Sequence, residues 1–246
     1  MALEFAGMTD VGKQRDNNQD NFSVNTLEGG YVLCTVCDGM GGANGGRTAS
    51  TLAQTTFDAY IGENIASCDK SDILNLMQNA LTHANKEVFA KANDDAELHG
   101  MGTTLVSCLC DGENYYCITV GDSRIYAISD RGLEQLSHDH SFVQSLIDSG
   151  AITEQEAKSH PNRNIITKAV GTDSSVEGDV FETSCSKIDG LLLCSDGLCG
   201  YIKHEDMEKI CIDTSDVKEC VKLLVEKANS ESGADNITAI VVKNSR

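Results

Sequence analysis

Five aspartates stand where apolar runs begin or stop, and that placement limits the possible folds more than any other feature of the chain. Asp38 follows Tyr31-Val-Leu-Cys-Thr-Val-Cys37 and opens Asp38-Gly39-Met40-Gly41-Gly42. Asp196 follows Gly190-Leu-Leu-Leu-Cys-Ser195, and Asp122 ends Tyr115-Tyr-Cys-Ile-Thr-Val120 inside Gly121-Asp122-Ser123-Arg124. Asp235 and Asn236 lead into the last apolar run, and Asp20 begins another after Arg15-Asp16-Asn17-Asn18-Gln19. A carboxylate at the mouth of a buried strand is costly to desolvate unless positive charge meets it. Any one Asp-Gly pair reads first as an ordinary turn. Five such ends are harder to dismiss, because two packed sheets could converge them. Converging carboxylates repel one another unless cations neutralise them, and hard oxygen ligands suit Mg²⁺ or Mn²⁺. The glycine after Asp38 would let a metal or ligand approach the backbone carbonyl closely.

The runs themselves suggest an α+β chain. Short β-like segments cover Leu3 to Met8, Asn21 to Thr26 and Tyr31 to Cys37. Two helical stretches follow, Gly45 to Ile61 and Asp72 to Lys91; in the second, Leu74, Met77, Leu81, Ala84 and Val88 recur at helical spacing. A strand block spans Thr103 to Leu136, with turns at Asp111-Gly112-Glu113-Asn114 and Asp130-Arg131-Gly132. Residues 138–163 are polar and hold the lone proline, Pro161, so they read as an excursion from the core. Strands are expected again at Ile165 to Val170, Val176 to Cys185 and Gly190 to Cys194. A helix near Asp216 to Asn229 and a strand from Ile237 to Lys243 finish the pattern. Strand blocks separated by paired helices favour a layered fold over strict βαβ alternation. The economical arrangement is a four-layer α-β-β-α sandwich: two antiparallel sheets, helices outside them, and the acids between. At 246 residues and 40% hydrophobic content, one domain over 1–246 is expected.

Charge and cysteine usage narrow the function classes. Nineteen basic residues face 38 acidic ones, a formal charge of −19 that repels nucleic acid and anionic membrane. The excess acid fits either a soluble surface or a site for divalent cations, and composition leaves both open. No basic head, apolar run and cleavage site occur together at the start, and no apolar run reaches membrane-spanning length, so a cytoplasmic protein is expected. The eleven cysteines are odd in number and several lie in apolar runs, as small buried hydrophobes in a reducing compartment would. Cys34 and Cys37 have zinc-like spacing but no second Cys/His pair with ligand spacing. The run Gly39-Met-Gly-Gly-Ala-Asn-Gly-Gly46 has neither a P-loop lysine nor a dinucleotide fingerprint, and reads as a tight turn into the first helix.

Taken in order, the motifs resemble the protein phosphatase 2C family of metal-dependent serine/threonine phosphatases, and in particular its compact bacterial members. The resemblance rests on Gly12, Arg15-x-x-Asn18-Gln19-Asp20, Val36-Cys37-Asp38-Gly39-Met40-Gly41-Gly42, Gly102-Thr103-Thr104 and Val120-Gly121-Asp122-Ser123-Arg124. It continues through Leu136-Ser137-x-Asp139-His140-Ser141, Cys194-Ser195-Asp196-Gly197-Leu198 and Asp235-Asn236-Ile237-Thr238. It implies hydrolysis of phosphoserine and phosphothreonine by a water or hydroxide bridging two Mn²⁺ or Mg²⁺ ions, with a weaker third ion. Asp38 would bridge the two catalytic ions and the Gly39 carbonyl would bind the second. Asp196 and Asp235 would complete the first site, Asp20 would act through water, and Asp122 would join Asp196 at the third. Arg15, one of six arginines, would hold the substrate phosphate, which makes Arg15, Asp38 and Asp196 the catalytic group. Phosphorylated proteins, a Hanks-type kinase as pathway partner and a monomeric state are implied as well.

The chain departs from many eukaryotic members at two places. Met40 stands where they have histidine, and Gly200 where they have a further aspartate, so leaving-group protonation has no assigned side chain. Residues 138–163 correspond to the family's variable flap, whose His140 and His160 read as surface histidines. The Cys-x₅-Arg loop of cysteine phosphatases is missing after Cys37 and Cys194. Two rivals are a catalytically silent phosphoprotein-binding regulator of the same fold and an anti-sigma-factor-antagonist phosphatase. Retention of all six charged site residues speaks against the first; for the second, a sensor domain is expected and the length leaves no room for one.

Overall fold

The computed structural model describes residues 3–244, apart from the side chains of Ala43 and Asn44. The expected span 1–246 therefore includes four terminal residues outside the described ones. Strands β1 (Leu3–Asp10), β2 (Asp20–Thr26) and β3 (Val32–Met40) are followed by helices α1 (Gly42–Asn64) and α2 (Ile73–Asp94). Next come β4 (Gly102–Thr103), β5 (Leu105–Cys110), β6 (Asn114–Val120), β7 (Arg124–Ser129) and β8 (Gly132–Gln135). Two short helices, α3 (Phe142–Asp148) and α4 (Glu154–Ala157), lie in the polar excursion. Strands β9 (Asp179–Ser184) and β10 (Gly190–Cys194) precede α5 (Asp196–Cys199), α6 (His204–Asp213), α7 (Val217–Glu231) and β11 (Ile237–Asn244).

The strands form two antiparallel sheets, ordered β1-β11-β10-β7-β8 and β2-β3-β5-β6-β9, with β4 paired to β3. The apolar runs are continuous because both faces of each sheet are covered. Along β3, Leu33 and Cys37 join the cluster under α1 and α2, while Val32, Cys34 and Val36 face the other sheet. Along β10, Leu192 and Cys194 pack with α6 and α7, while Leu191 and Leu193 point between the sheets. Three buried clusters thus separate helices, sheet, sheet and helices in that order. Of the helical spacing read in α2, Met77, Leu81, Ala84 and Val88 form a buried stripe together with Ile73 and Ala80, while Leu74 is half-buried at its side. At α7, the Asp216 carboxylate accepts from the Glu219 amide, a cap worth about 1 kcal/mol.

Several expectations are corrected. Ile165 to Val170 is not a strand; its only ladder contacts are isolated bridges, Ser141 with Ile166 and Thr103 with Val170. Of Val176 to Cys185 only β9 is extended, and α6 lies where the sequence pattern gives no element. Asp38-Gly39 is not a turn: both residues lie inside β3, with Gly39 opposite Thr103. Asp196-Gly197 is the first turn of α5. The tight turn sits at Gly41, whose φ of 119° favours glycine and whose Cβ would fall 2.6 Å from Met101 Cα.

Candidate active site

Antiparallel order explains why the acids meet. Each sheet presents alternating strand starts and strand ends along one edge of the sandwich. Asp20 begins β2 and is the register partner of Asp38 near the end of β3. Asp122 sits between β6 and β7, Asp196 two residues after the end of β10, and Asp235 two residues before β11. One open cavity of about 600 Å³ is lined by Asp38, Gly39, Asp122, Asp196 and Asp235, with Arg15 on its wall. Asn164 and Ile166, just past the polar segment, line the same cavity. The structure thus brings Arg15 and all the expected lining acids to one place, with Asp20 buried behind them at 8% exposure.

Asp20 shows how the two sheets are joined. Its Oδ2 accepts from Ser195 Oγ at 2.7 Å and from Thr238 Oγ1 at 2.6 Å, both from the opposite sheet's edge. Its Oδ1 is buried without a hydrogen-bond partner, and so is Asp196 Oδ1. Burial, and then the charges of Asp196 and Asp235, push the Asp20 carboxyl up to about 7 against the two hydroxyl donors. Burial followed by Asp196 and Asp139 raises Asp122 to about 7 as well. Asp38 is held well above the ordinary carboxylate range by burial and by Asp20, Asp196 and Asp122. Asp196 is raised by burial and then by Asp235, against the opposing influence of Asp38, Arg15 and Arg124.

A shell of polar residues holds this geometry. Asn236 Oδ1 accepts from the Gln19 amide at 2.8 Å, and its Nδ2 donates to the Val11 and Asn17 carbonyls, each at 2.9 Å. It thereby staples the loop that carries Arg15. Arg15 Nη2 donates to Asp235 Oδ2 at 2.8 Å, so the guanidinium rests on a site carboxylate. Thr104 Oγ1 accepts from the Asp38 amide at 2.9 Å and pairs with Ser123 Oγ at 2.7 Å, tying the Asp38 strand to the Asp122 turn. Gly39 packs so tightly that a Cβ would lie 2.0 Å from the Gly46 carbonyl oxygen. Asn236, Ser195, Thr238 and Thr104 stand in the sequence motifs without any mark of a role; only the crossing between sheets reveals it. His140 is corrected from surface to buried, at 9% exposure, while His160 is half-buried with its ring 5.9 Å from that of Phe142.

The donor set fits hard divalent cations. Orphaned buried carboxylate oxygens and acids that resist ionisation are the signature of a site whose compensating charge comes from a ligand. Among the described residues no three Asp, Glu, His or Cys side chains form a ready-made cluster that could hold a metal ion.

A family model described as protein phosphatase 2C matches residues 12–240. The chain belongs to the protein phosphatase 2C family. It is 35% identical over 243 residues to the serine/threonine phosphatase stp of Listeria monocytogenes, covering 99% of this chain and 96% of that protein. It is 34% identical to protein phosphatase PhpP of Streptococcus pneumoniae over 98% of this chain and 97% of that one. The solved serine/threonine phosphatase Stp1 of Staphylococcus aureus superposes with a TM-score of 0.92 at 33% identity, covering 100% of this chain and 96% of that one. The PstP catalytic domain crystallised with two manganese ions gives 0.85 at 31% identity, covering 98% and 97%. The α+β fold with two antiparallel sheets is thus the family's own. Among the described residues no helix is long and apolar enough to cross a membrane.

Proposed function

We propose that this protein phosphatase 2C member is a single catalytic domain over residues 1–246 that hydrolyses phosphoserine and phosphothreonine in proteins with Mn²⁺ or Mg²⁺. The observation that carries the reading is the ring of carboxylates from both sheets around one cavity with an arginine on its wall. Asp38 would touch both inner ions, the Gly39 carbonyl one of them, and Asp196 and Asp235 the other. Asp20 would act through water, held for that by Ser195 and Thr238, and Asp122 would share an outer, weaker ion with Asp196. The bound ions supply charge neutralisation of the phosphoryl oxygens and acidify water enough to give a nucleophile near neutral pH.

The chain's own residues do the rest. Arg15 is tethered to Asp235 and exposed, so it can exchange one carboxylate for a phosphate without crossing a barrier of burial. Its planar fork orients the ester so that the attacked phosphorus faces the carboxylates. Asn164 and Ile166 wall the cavity on the side of the polar segment. The eleven cysteines are all free and mostly buried; burial lifts the Cys37 thiol away from reactivity, and Cys199 together with burial does the same for Cys194. They fit a reducing cytosol and leave no cysteine nucleophile at the site. A Hanks-type kinase supplying the phosphoproteins and a monomeric enzyme complete the proposal.

The test is phosphate release from a phosphothreonine peptide with Mn²⁺ and with chelator. Release only with metal supports the reading. Tight peptide binding with no release under either condition would replace it with a silent regulator of the same fold.

A further inference from the structure

Two consecutive residues at the root of the polar segment grip the turn that carries Asp122 from both sides. The His140 amide donates to the Gly121 carbonyl at 2.8 Å, and the Gly121 amide donates back to His140 Nδ1 at 3.1 Å. Asp139 receives Arg124, with Nε 2.9 Å from Oδ1 and Nη2 2.6 Å from Oδ2. Gly121 precedes Asp122 and Arg124 follows it by two, so Asp122 is bracketed. His140 is itself anchored. Its carbonyl accepts from the Thr167 amide at 2.8 Å, and its Nε2 lies 3.2 Å from Asp179 Oδ2 but off the hydrogen-bonding direction. Lys168 Nζ stands 3.5 Å from Asp179 Oδ1 on the same side. Because Gly121 donates into Nδ1, the neutral ring carries its proton on Nε2, toward Asp179.

The turn has little freedom to compensate. Gly121 has φ of 100°, and a Cβ there would fall 2.6 Å from Thr104 Cγ2. Gly121 and His140 are both buried, so the amide would find no solvent if the imidazole acceptor were lost. An outer ion with two protein carboxylates has few other ligands to fix it, so its affinity depends on how well those are pre-placed.

We propose that His140 is a positioning residue whose Nδ1 fixes the Gly121–Asp122 peptide, and so the Asp122 carboxylate, for the outer divalent ion. The proposal rests on the reading of Asp122 as a ligand of that ion. Ion affinity and the order of the polar segment are then linked reciprocally through His140.

The experiment compares His140→Asn, His140→Leu, His140→Gln and Asp122→Asn in the full chain. Asparagine keeps an acceptor where Nδ1 stood; glutamine moves it one bond further, and leucine removes it. Amide exchange at Gly121 is followed by NMR in chelated protein, and Mn²⁺ binding by calorimetry. In His140→Leu and His140→Gln, Gly121 exchange should quicken about tenfold or more and the weakest Mn²⁺ site should weaken roughly tenfold, while the inner pair changes less than about twofold. His140→Asn should restore both quantities to within about threefold of wild type. Asp122→Asn should lose the weak site with Gly121 exchange unchanged. Slow Gly121 exchange in His140→Gln, or fast exchange there with unchanged weak-site affinity, overturns the proposal. Unchanged weak-site affinity in Asp122→Asn removes the ligand reading instead, and the exchange data still report separately whether His140 holds the turn. If His140→Leu fails to fold, the Asn and Gln pair decides alone.

Discussion

Removing divalent ions should make the stability of this protein fall as pH rises, the reverse of ordinary acid denaturation. Asp20 is the cleanest reporter. It is buried, and its carboxyl is pushed from 3.8 up to about 7, first by burial and then by Asp196 and Asp235. A carboxyl that is harder to ionise in the folded state than in the unfolded one stabilises the fold below the unfolded value, near pH 4. That contribution is lost as pH rises through about 7. A difference of that size corresponds to about 4 kcal/mol at 1.36 kcal/mol per pH unit, an upper figure because Asp20, Asp38, Asp196 and Asp122 titrate together. For a chain of this length that is roughly 8–16 °C in melting temperature. Asp20→Asn is nearly isosteric and leaves Ser195 and Thr238 an oxygen to donate to, so it should remove most of this slope. Thermal melts of wild type and Asp20→Asn in chelator, from about pH 5 to pH 8, isolate the difference from other acids. Wild type should lose stability relative to the variant as pH rises, and excess Mg²⁺ should close the gap by favouring the ionised carboxylates. Parallel profiles in chelator, or a gap that Mg²⁺ leaves untouched, would refute the claim that these acids wait for a cation.

Other substitutions separate the roles. Arg15→Ala should raise KM for phosphopeptide about tenfold or more with a smaller loss in kcat, since its bidentate contact forms with the ground-state phosphate; an unchanged KM with lost metal would make Arg15 a support for Asp235. Asp122→Ala should keep two tightly bound ions while turnover falls by about one to three orders of magnitude; unaltered turnover with a lower melting temperature would reduce Asp122 to a turn residue. Thr238→Val, which removes one donor from buried Asp20, should lower stability by roughly 1–3 kcal/mol in denaturant melts while the Arg15-dependent KM stays put.

The acids were legible because an Asp that interrupts an apolar run is a local signal. Asp38, Asp122, Asp196 and Asp235 all interrupt or flank such runs, and antiparallel order carries them to one edge. What holds them was not legible. Ser195 and Thr238 matter only because Asp20 reaches across from the other sheet, and Asn236 only because residues 11–19 fold back over it. His140 looked like a surface residue since its neighbours are polar, yet Gly121, Thr167 and Asp179 enclose it from three distant segments. In the fold, α6 escaped notice because it buries only Met207 and Cys211 along ten residues. Ile165 to Val170 has the apolar content of a strand, but Ile165 is 49% exposed and the segment makes single bridges rather than a ladder. Local pattern and tertiary partner disagreed there, and the partner decided.

The central claim is that the carboxylates at this edge hold the ions the phosphatase uses. The most direct measurement is an anomalous difference map from a crystal soaked in Mn²⁺. The expected result is two strong peaks in the cavity that share Asp38, one also on Asp196 and Asp235 and the other on the Gly39 carbonyl, with a weaker third beside Asp122. A map with no peak touching Asp38, or with Mn²⁺ bound only outside the cavity, would contradict the account.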